Sequence, residues 1–297
     1  MRVVDAGQSK IELKGVSVDF PTPHGAIPVL RDIDLFAGEG EFVTLIGPSG
    51  CGKSTLLNVV AGLLEPTAGA IRMDGRSGAV EVGATAYMPQ KDLLMPWRTV
   101  LDNAILGMEI RGVAKSLARN QALGLFELFG LKGFEYAYPT VLSGGMRQRA
   151  AFLRTVLMGK DVMLLDEPFG ALDALTRSNM QEWLLHLWNT LSKTILFITH
   201  DVDEAVLLSD RVYVLTARPG RVKLMLEIAL PRPREYAMVT SSQFVALKEQ
   251  LLDAIREEAQ KAMAQDIKDV SDGYSQEASA GTWTAGPSNG HGERWGS

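Results

Sequence analysis

The sequence predicts an α/β fold in which a parallel sheet core carries an antiparallel β-subdomain and an inserted helical subdomain. Three observations lead there. Short, largely apolar runs (EFVTLI at 41–46, DVMLLD at 161–166, TILFIT at 194–199) each precede a helical pattern, as strands buried on both faces do. A glycine-rich loop joins the first run to its helix. Helical spacing replaces strand alternation between Trp97 and about Phe134, inside the series.

The elements follow in order. Residues 10–20 (KIELKGVSVDF) alternate apolar and polar in places, and 29–36 (VLRDIDLF) repeat the pattern, so both read as half-buried strands. After the run at 41–46 the spacing predicts a helix from Lys53 to about Leu64, then strands at Gly69–Asp74 and Ala84–Met88. Val100, Ile105, Leu106 and Met108 suit one amphipathic segment, and Leu117, Leu123, Phe126 and Leu128 another. A third helix should start near Ser143, which places the helical subdomain at about 91–158. Trp183, Leu184, Leu187, Trp188 and Leu191 give helical spacing before TILFIT, and a further helix should begin near Val202. PRPR at 231–234 closes a first unit at about residue 235. Phe244, Leu247, Leu251, Ile255 and Ala259 mark an amphipathic extension over 236–270, expected to act as a lid on its own domain, with an added dimer contact as the alternative. Residues 271–297 hold no Leu, Ile or Phe and are rich in Gly and Ser, so they are expected to stay disordered, with Trp283 and Trp295 as the only candidate anchors.

Composition narrows the class. Hydrophobic residues make up 46% and charged residues 22% of the 297, which is ordinary for a globular protein. The single Cys51 excludes an internal disulfide framework and a cysteine-based zinc cluster. A net charge of −5 argues against nucleic acid as the main partner. MRVVDAGQSK lacks the apolar stretch of a signal peptide, and no run approaches the length of a membrane span. The expectation is a cytoplasmic protein whose membrane role, if any, passes through a partner.

Residues 47–55, GPSGCGKST, match GxxxxGK[ST] through Gly47, Gly52, Lys53 and Ser54. The loop of Gly47, Pro48, Ser49, Gly50, Cys51 and Gly52 should turn its N–H groups toward phosphate oxygens, and the helix behind adds its positive end. Lys53 supplies a point charge to the β- and γ-phosphates, and the Ser54 hydroxyl, followed by Thr55, a ligand to Mg²⁺. This much indicates a nucleoside triphosphatase. A second stretch, LSGGM from Leu142, reads as another anion-approaching helix start, with Ser143 as cap and Gly144 and Gly145 clear of side chains. Two such starts for one nucleotide make sense when two chains face each other.

The ordered set resembles the ATP-binding subunits of ABC transporters over about residues 10–235, with a RecA-like P-loop core. Besides the loop and LSGGM, it comprises Gln90 in YMPQ, VMLLDE ending in Asp166 and Glu167, Asp173 in ALD, and His200 in FITHD. Met146 departs from the commoner glutamine of the signature. The resemblance implies ATP and Mg²⁺, with Ser54, Gln90 and Asp166 around the metal. It implies Glu167 as general base, His200 at the γ-phosphate, Gln90 as reporter to the membrane partner, and Asp173 in communication across a dimer. Phe20 falls where the family stacks an aromatic on adenine.

LLMPWRTVLDN, DEPFGALDALTR, ITHDVDEAV, ARPGRV and LPRPRE are similar to the nitrate/sulfonate/taurine importer branch, and to importers of a thiamine pyrimidine precursor. That implies a second ATPase subunit, two permease subunits, an extracytoplasmic solute-binding protein reached indirectly, and a place on the cytoplasmic face of the cell membrane. Leu94, Met95, Pro96 and Trp97 are candidates to line a permease groove. Exporter-type and non-transport ABC ATPases are the alternatives. The stretch between Lys53 and Ser143 is too short for the coiled coil of DNA-repair members, and ARPGRV and LPRPRE count against exporters.

Overall fold

A computed structural model of the protein describes residues 9–279, apart from His24, Ala171 and Ser192. Two sheets organise it. The strands β1 (Ser9–Thr22) and β2 (Gly25–Gly38) form a long hairpin. β1 pairs on its other edge with β4 (Ala68–Met73), which pairs with the short β5 (Arg76–Ser77), giving the antiparallel order β2-β1-β4-β5. The second sheet starts at β3 (Phe42–Ile46) and adds β6 (Ala86–Met88), β7 (Val162–Asp166), β8 (Thr194–Ile198), β9 (Arg211–Leu215) and β10 (Val222–Glu227). Its order is β10-β9-β3-β8-β7-β6, parallel throughout except for β10 on the edge. The predicted class holds: an α/β cassette with an antiparallel sheet beside the parallel core.

The central strands are buried on both faces, and their period of two divides the interior. Val43, Leu45, Val162, Leu164, Leu196 and Ile198 face the antiparallel sheet and α1 (Lys53–Val60). Phe42, Ile46, Met163, Leu165, Ile195 and Phe197 face the helical side. There Phe197 lies 5.5 Å from Phe42 and 5.9 Å from Phe169, tilted rings that hold the strand ends in place. Fully burying a side chain of this size stabilises by roughly 1.5–3 kcal/mol.

The helical block between β6 and β7 holds α2 (Val100–Ala104), α3 (Leu106–Ile110), α4 (Lys115–Phe126) and α5 (Gly144–Val156). Thr99 caps α2 by accepting from the Asp102 N–H at 3.1 Å. The predicted face of α4 holds at Phe126 and fails at its leucines. Leu117, Leu123 and Leu128 are exposed, while Ala118, Ala122 and Phe126 are buried. Spaced at four residues, the two alanines let α4 close on α2 and α3, a fit that larger leucines would prevent. The Arg119 and Lys115 pairs to Asp102 fix that rotation from outside.

After β7 come α6 (Ala174–Leu191), α7 (Val202–Leu208) and α8 (Ser242–Ser279). The PRPR segment is an anchored connector. The buried Arg234 donates to the carbonyls of Val206, Leu207 and Ser209 at the end of α7, and the Arg232 guanidinium stacks on Trp188 at 3.9 Å. Phe244 and Leu251 of α8 are buried in the same core as the parallel sheet, and Lys248 pairs with Asp203. The first turns of α8 therefore cover their own domain. Ala259 points outward, and its neighbour Glu258 takes the buried position. The helix also runs past the expected end near 270, because no proline interrupts the chain between Pro233 and Pro287. Residues 271–279 are thus helical; the rest of the expected disordered tail, with Trp283 and Trp295, lies outside the described residues.

Candidate functional site

The loop after β3 opens at the C-terminal edge of the parallel sheet, where ligands of open α/β sheets bind. Gly52 caps α1 at φ +104°, a left-handed conformation, and a Cβ there would stand 2.6 Å from Leu30 Cδ2. Only glycine can make this turn, and the turn leaves the first N–H groups of α1 facing out of the helix end. Lys53 is buried. Its Nζ donates to the carbonyls of Gly47 (2.9 Å) and Pro48 (3.0 Å), so the charge sits within the curl of the loop.

A cleft of about 450 Å³ lies over this loop. Ser49, Gly50, Gly52, Lys53, Ser54 and Thr55 form its floor; Phe20 and Val29 come from the hairpin, and Gln90, Glu167 and Arg218 from sheet ends. Phe20 is 40% exposed, on the rim of the cleft and outside the strand core. Gly47, Pro48 and Cys51 are not among the residues that line the cleft.

Cys51 is 1% exposed, packed among Leu30, Leu56 and Leu57, and burial pushes its thiol pKa up. A thiol that is buried and protonated attacks slowly. The native protein is therefore expected to resist N-ethylmaleimide at neutral pH and to react only once unfolded; mass spectrometry of the intact chain checks this.

Asp166 ends β7 and is buried. Burial raises its carboxyl pKa; the Ser54 and Tyr87 hydroxyls oppose the rise and the Glu167 charge adds to it. Tyr87, on the neighbouring strand, lies 3.4 Å from Asp166, and burial with that carboxylate lifts its phenol to about 12. Glu167 follows at φ +44°, a left-handed backbone that costs a non-glycine residue about 1–2 kcal/mol. Its N–H donates to the Ile198 carbonyl at 3.0 Å, which ties this strained residue to the end of β8. Its Oε2 accepts from Gln90 Nε2 at 3.0 Å and lies 3.5 Å from His200 Nδ1. Thus Gln90, Glu167 and His200, residues from three separate strand ends, meet at one carboxylate. Backbone strain of this kind clusters at functional sites.

Ser54, Gln90 and Asp166 offer a hydroxyl, an amide oxygen and one carboxylate. This oxygen set suits Mg²⁺, which takes one or two carboxylates and leaves its other positions to water and phosphate. Among the described residues there is no cluster of three or more His, Cys, Asp or Glu able to hold a metal unaided.

Ser143, Gly144, Gly145 and Asp173 are not brought to this cleft. Ser143 caps α5, accepting from the Met146 N–H at 3.2 Å, and Ser143 and Gly144 are exposed while Gly145 is buried. Asp173 is exposed and accepts from the Thr176 N–H at 3.1 Å, at the start of α6. The sequence reading missed Val29 and Arg218 as cleft residues. The signal was present for the second: ARPG follows β9 at the same sheet edge as the loop. Of the proposed groove residues, Leu94 is buried in the core and Trp97 is 73% exposed. No helix among the described residues is long and apolar enough to cross a membrane.

Comparisons with known proteins agree with this geometry. The family described as ABC transporter matches residues 30–170. An uncharacterized ABC transporter ATP-binding protein of Methanocaldococcus jannaschii is 43% identical over 259 residues, 87% of this chain and 96% of that protein. An aliphatic sulfonates import ATP-binding protein of Bacillus cereus is 41% identical over 224 residues, 75% of this chain and 88% of that protein. Among solved structures, the dimeric post-hydrolysis state of an ATP-binding cassette bound to ADP and Pi aligns at TM-score 0.66 and 28% identity, over 74% of this chain and 100% of that one. The chain belongs to the ATP-binding subunits of the ABC transporter family, and its activity is ATP hydrolysis.

Proposed function

We propose that this subunit powers an importer of small oxyanions, with sulfonates, taurine and nitrate as the leading solutes. It does so as one half of a homodimer beneath two permease subunits at the cytoplasmic face of the membrane. The observation that carries the two-chain reading is the separation of Ser143 and Gly144 from the cleft of their own chain, exposed at the start of α5. A helix start with free N–H groups favours an anion. A second copy of the chain, related by a two-fold axis, would lay that start over the γ-phosphate. The dimeric state of the aligned ATP-binding cassette supports this arrangement. The import branch rests on the sulfonate-import relative and on the ARPGRV and LPRPRE stretches.

Within the site, Lys53 and the N–H groups of the loop bind the β- and γ-phosphates. Ser54, Asp166 and Gln90 would hold Mg²⁺, which would supply charge neutralisation for the triphosphate. Glu167 takes the proton of the attacking water, and His200 holds Glu167 and the γ-phosphate in register. Phe20 stacks on adenine. Asp173, exposed beside α6, faces the partner chain. Trp97 and the 60% exposed Leu93 offer an apolar contact for a permease helix, while Asn103 fixes their loop through the carbonyls of Met95, Arg98 and Thr99.

The test is purification of the tagged chain from detergent-solubilised membranes of its source, then reconstitution in vesicles with the solute-binding protein. Two polytopic permease copies are expected to accompany it. ATP turnover should rise when the binding protein carries an alkanesulfonate, taurine or nitrate. A complex without membrane protein would remove the transport role, and stimulation by none of the three solutes would remove the branch.

A further inference from the structure

The turn at 216–221 joins three parts of the molecule. Its Gly220 N–H donates to the Val29 carbonyl at 2.8 Å and its carbonyl accepts from the Arg31 N–H at 2.9 Å, so it runs along β2. Gly220 also rests on the phosphate loop: a Cβ there would stand 2.2 Å from the Cys51 carbonyl oxygen. Thr216 Oγ1 closes the turn, 3.1 Å from the Pro219 carbonyl and accepting from the Arg221 N–H at 2.9 Å. Within this rigid turn Arg218 is exposed, lines the cleft beside Phe20 and Val29, and has no hydrogen-bond or ion-pair partner among the described residues. From outside, Glu258 of α8 holds the turn. It is 2% exposed, and its Oε2 accepts from the Ala217 N–H at 3.0 Å. Its Oε1 accepts from Lys223 at 2.9 Å and Lys261 at 2.8 Å.

The sheet order says which end of the nucleotide Arg218 meets. β3 leads into the phosphate loop; β9, which leads to Arg218, is its neighbour on one side. β8, β7 and β6, which lead to His200, Glu167 and Gln90, lie on the other. The γ-phosphate end belongs to that second side. Phe20, Val29 and Arg218 share the first, since the turn pairs with β2. We propose that Arg218 binds the base and ribose end of the nucleotide, and that Glu258 is a positioning residue through which the C-terminal helix sets the reach of Arg218. An arginine suits the place: its planar guanidinium stacks on an aromatic base and its fork of donors meets ribose oxygens or the α-phosphate.

This rests on the cleft being the nucleotide site, so wild-type binding of a fluorescent ATP analogue is the first control. Its failure would count against that site and not against Arg218. With binding in hand, Arg218→Ala is expected to weaken ATP and ADP equally, by about tenfold, and to raise KM with kcat within about twofold, as loss of uniform binding does. Glu258→Ala should weaken both nucleotides by about three- to fivefold. It should add nothing in the Arg218→Ala background, because its effect passes through that side chain. Glu258→Gln keeps an acceptor for the Ala217 N–H and should return to within about twofold of wild type. Any of three results overturns the proposal: unchanged affinity in Arg218→Ala, a loss confined to ATP, or a Glu258→Ala effect that persists in full without Arg218.

Discussion

Replacing Glu167 by glutamine is expected to lower ATP turnover at least about a hundredfold while leaving ATP affinity intact. Loss of a general base costs about 10²–10⁴ in rate, equivalent to roughly 3–5 kcal/mol of barrier. Glutamine matches glutamate in size and can still accept from Gln90 Nε2, now 3.0 Å from Glu167 Oε2. The backbone at φ +44° and its bond to Ile198 do not depend on the charge, so the site should keep its shape. What is lost is the proton acceptor and one negative charge beside Asp166. Relief of that repulsion should favour the ATP-bound state, so the variant is expected to elute as a dimer when ATP and Mg²⁺ are present. A phosphate-release assay beside size-exclusion chromatography reads both effects. Turnover within about threefold of wild type would take Glu167 out of the base role and leave His200 as the next candidate.

Ser143→Arg is expected to abolish hydrolysis while the isolated chain still binds ATP. The substitution removes the cap of α5, worth about 1 kcal/mol, too little to unfold a domain of this size. It also places a bulky cation on an exposed surface away from the cleft of its own chain. Its harm therefore requires a second chain. Mixing Ser143→Arg with Lys53→Ala should restore one complete site per heterodimer, formed by the intact Lys53 of one chain and the intact Ser143 of the other. Loss of ATP binding by the Ser143→Arg monomer would contradict the two-chain arrangement.

The sequence alone determined β1 to β4 and β6 to β8, the phosphate loop and the start of each helix at a functional position; β5, β9 and β10 were not read from it. These are local decisions. A run such as VMLLD has too little polarity to lie anywhere but between layers, Gly52 is required by a turn that admits no side chain, and Ser143 caps the helix it begins. Gln90, Glu167 and His200 were legible through the resemblance to ABC ATP-binding subunits, in motifs that each follow a buried strand.

The tertiary structure alone decided which residues share a space. The face of α4 followed the closest approach allowed by Ala118 and Ala122, a packing choice that leucine spacing does not record. Arg218 entered the cleft because β9 lies beside β3, although nearly 170 residues separate them in the chain. The place of Glu258 under the Ala217 amide depended on where α8 docks, which one buried carboxylate in a charged stretch does not announce. Long-range pairing selects among faces and neighbours that are equally acceptable locally, and burial energy is what makes that selection.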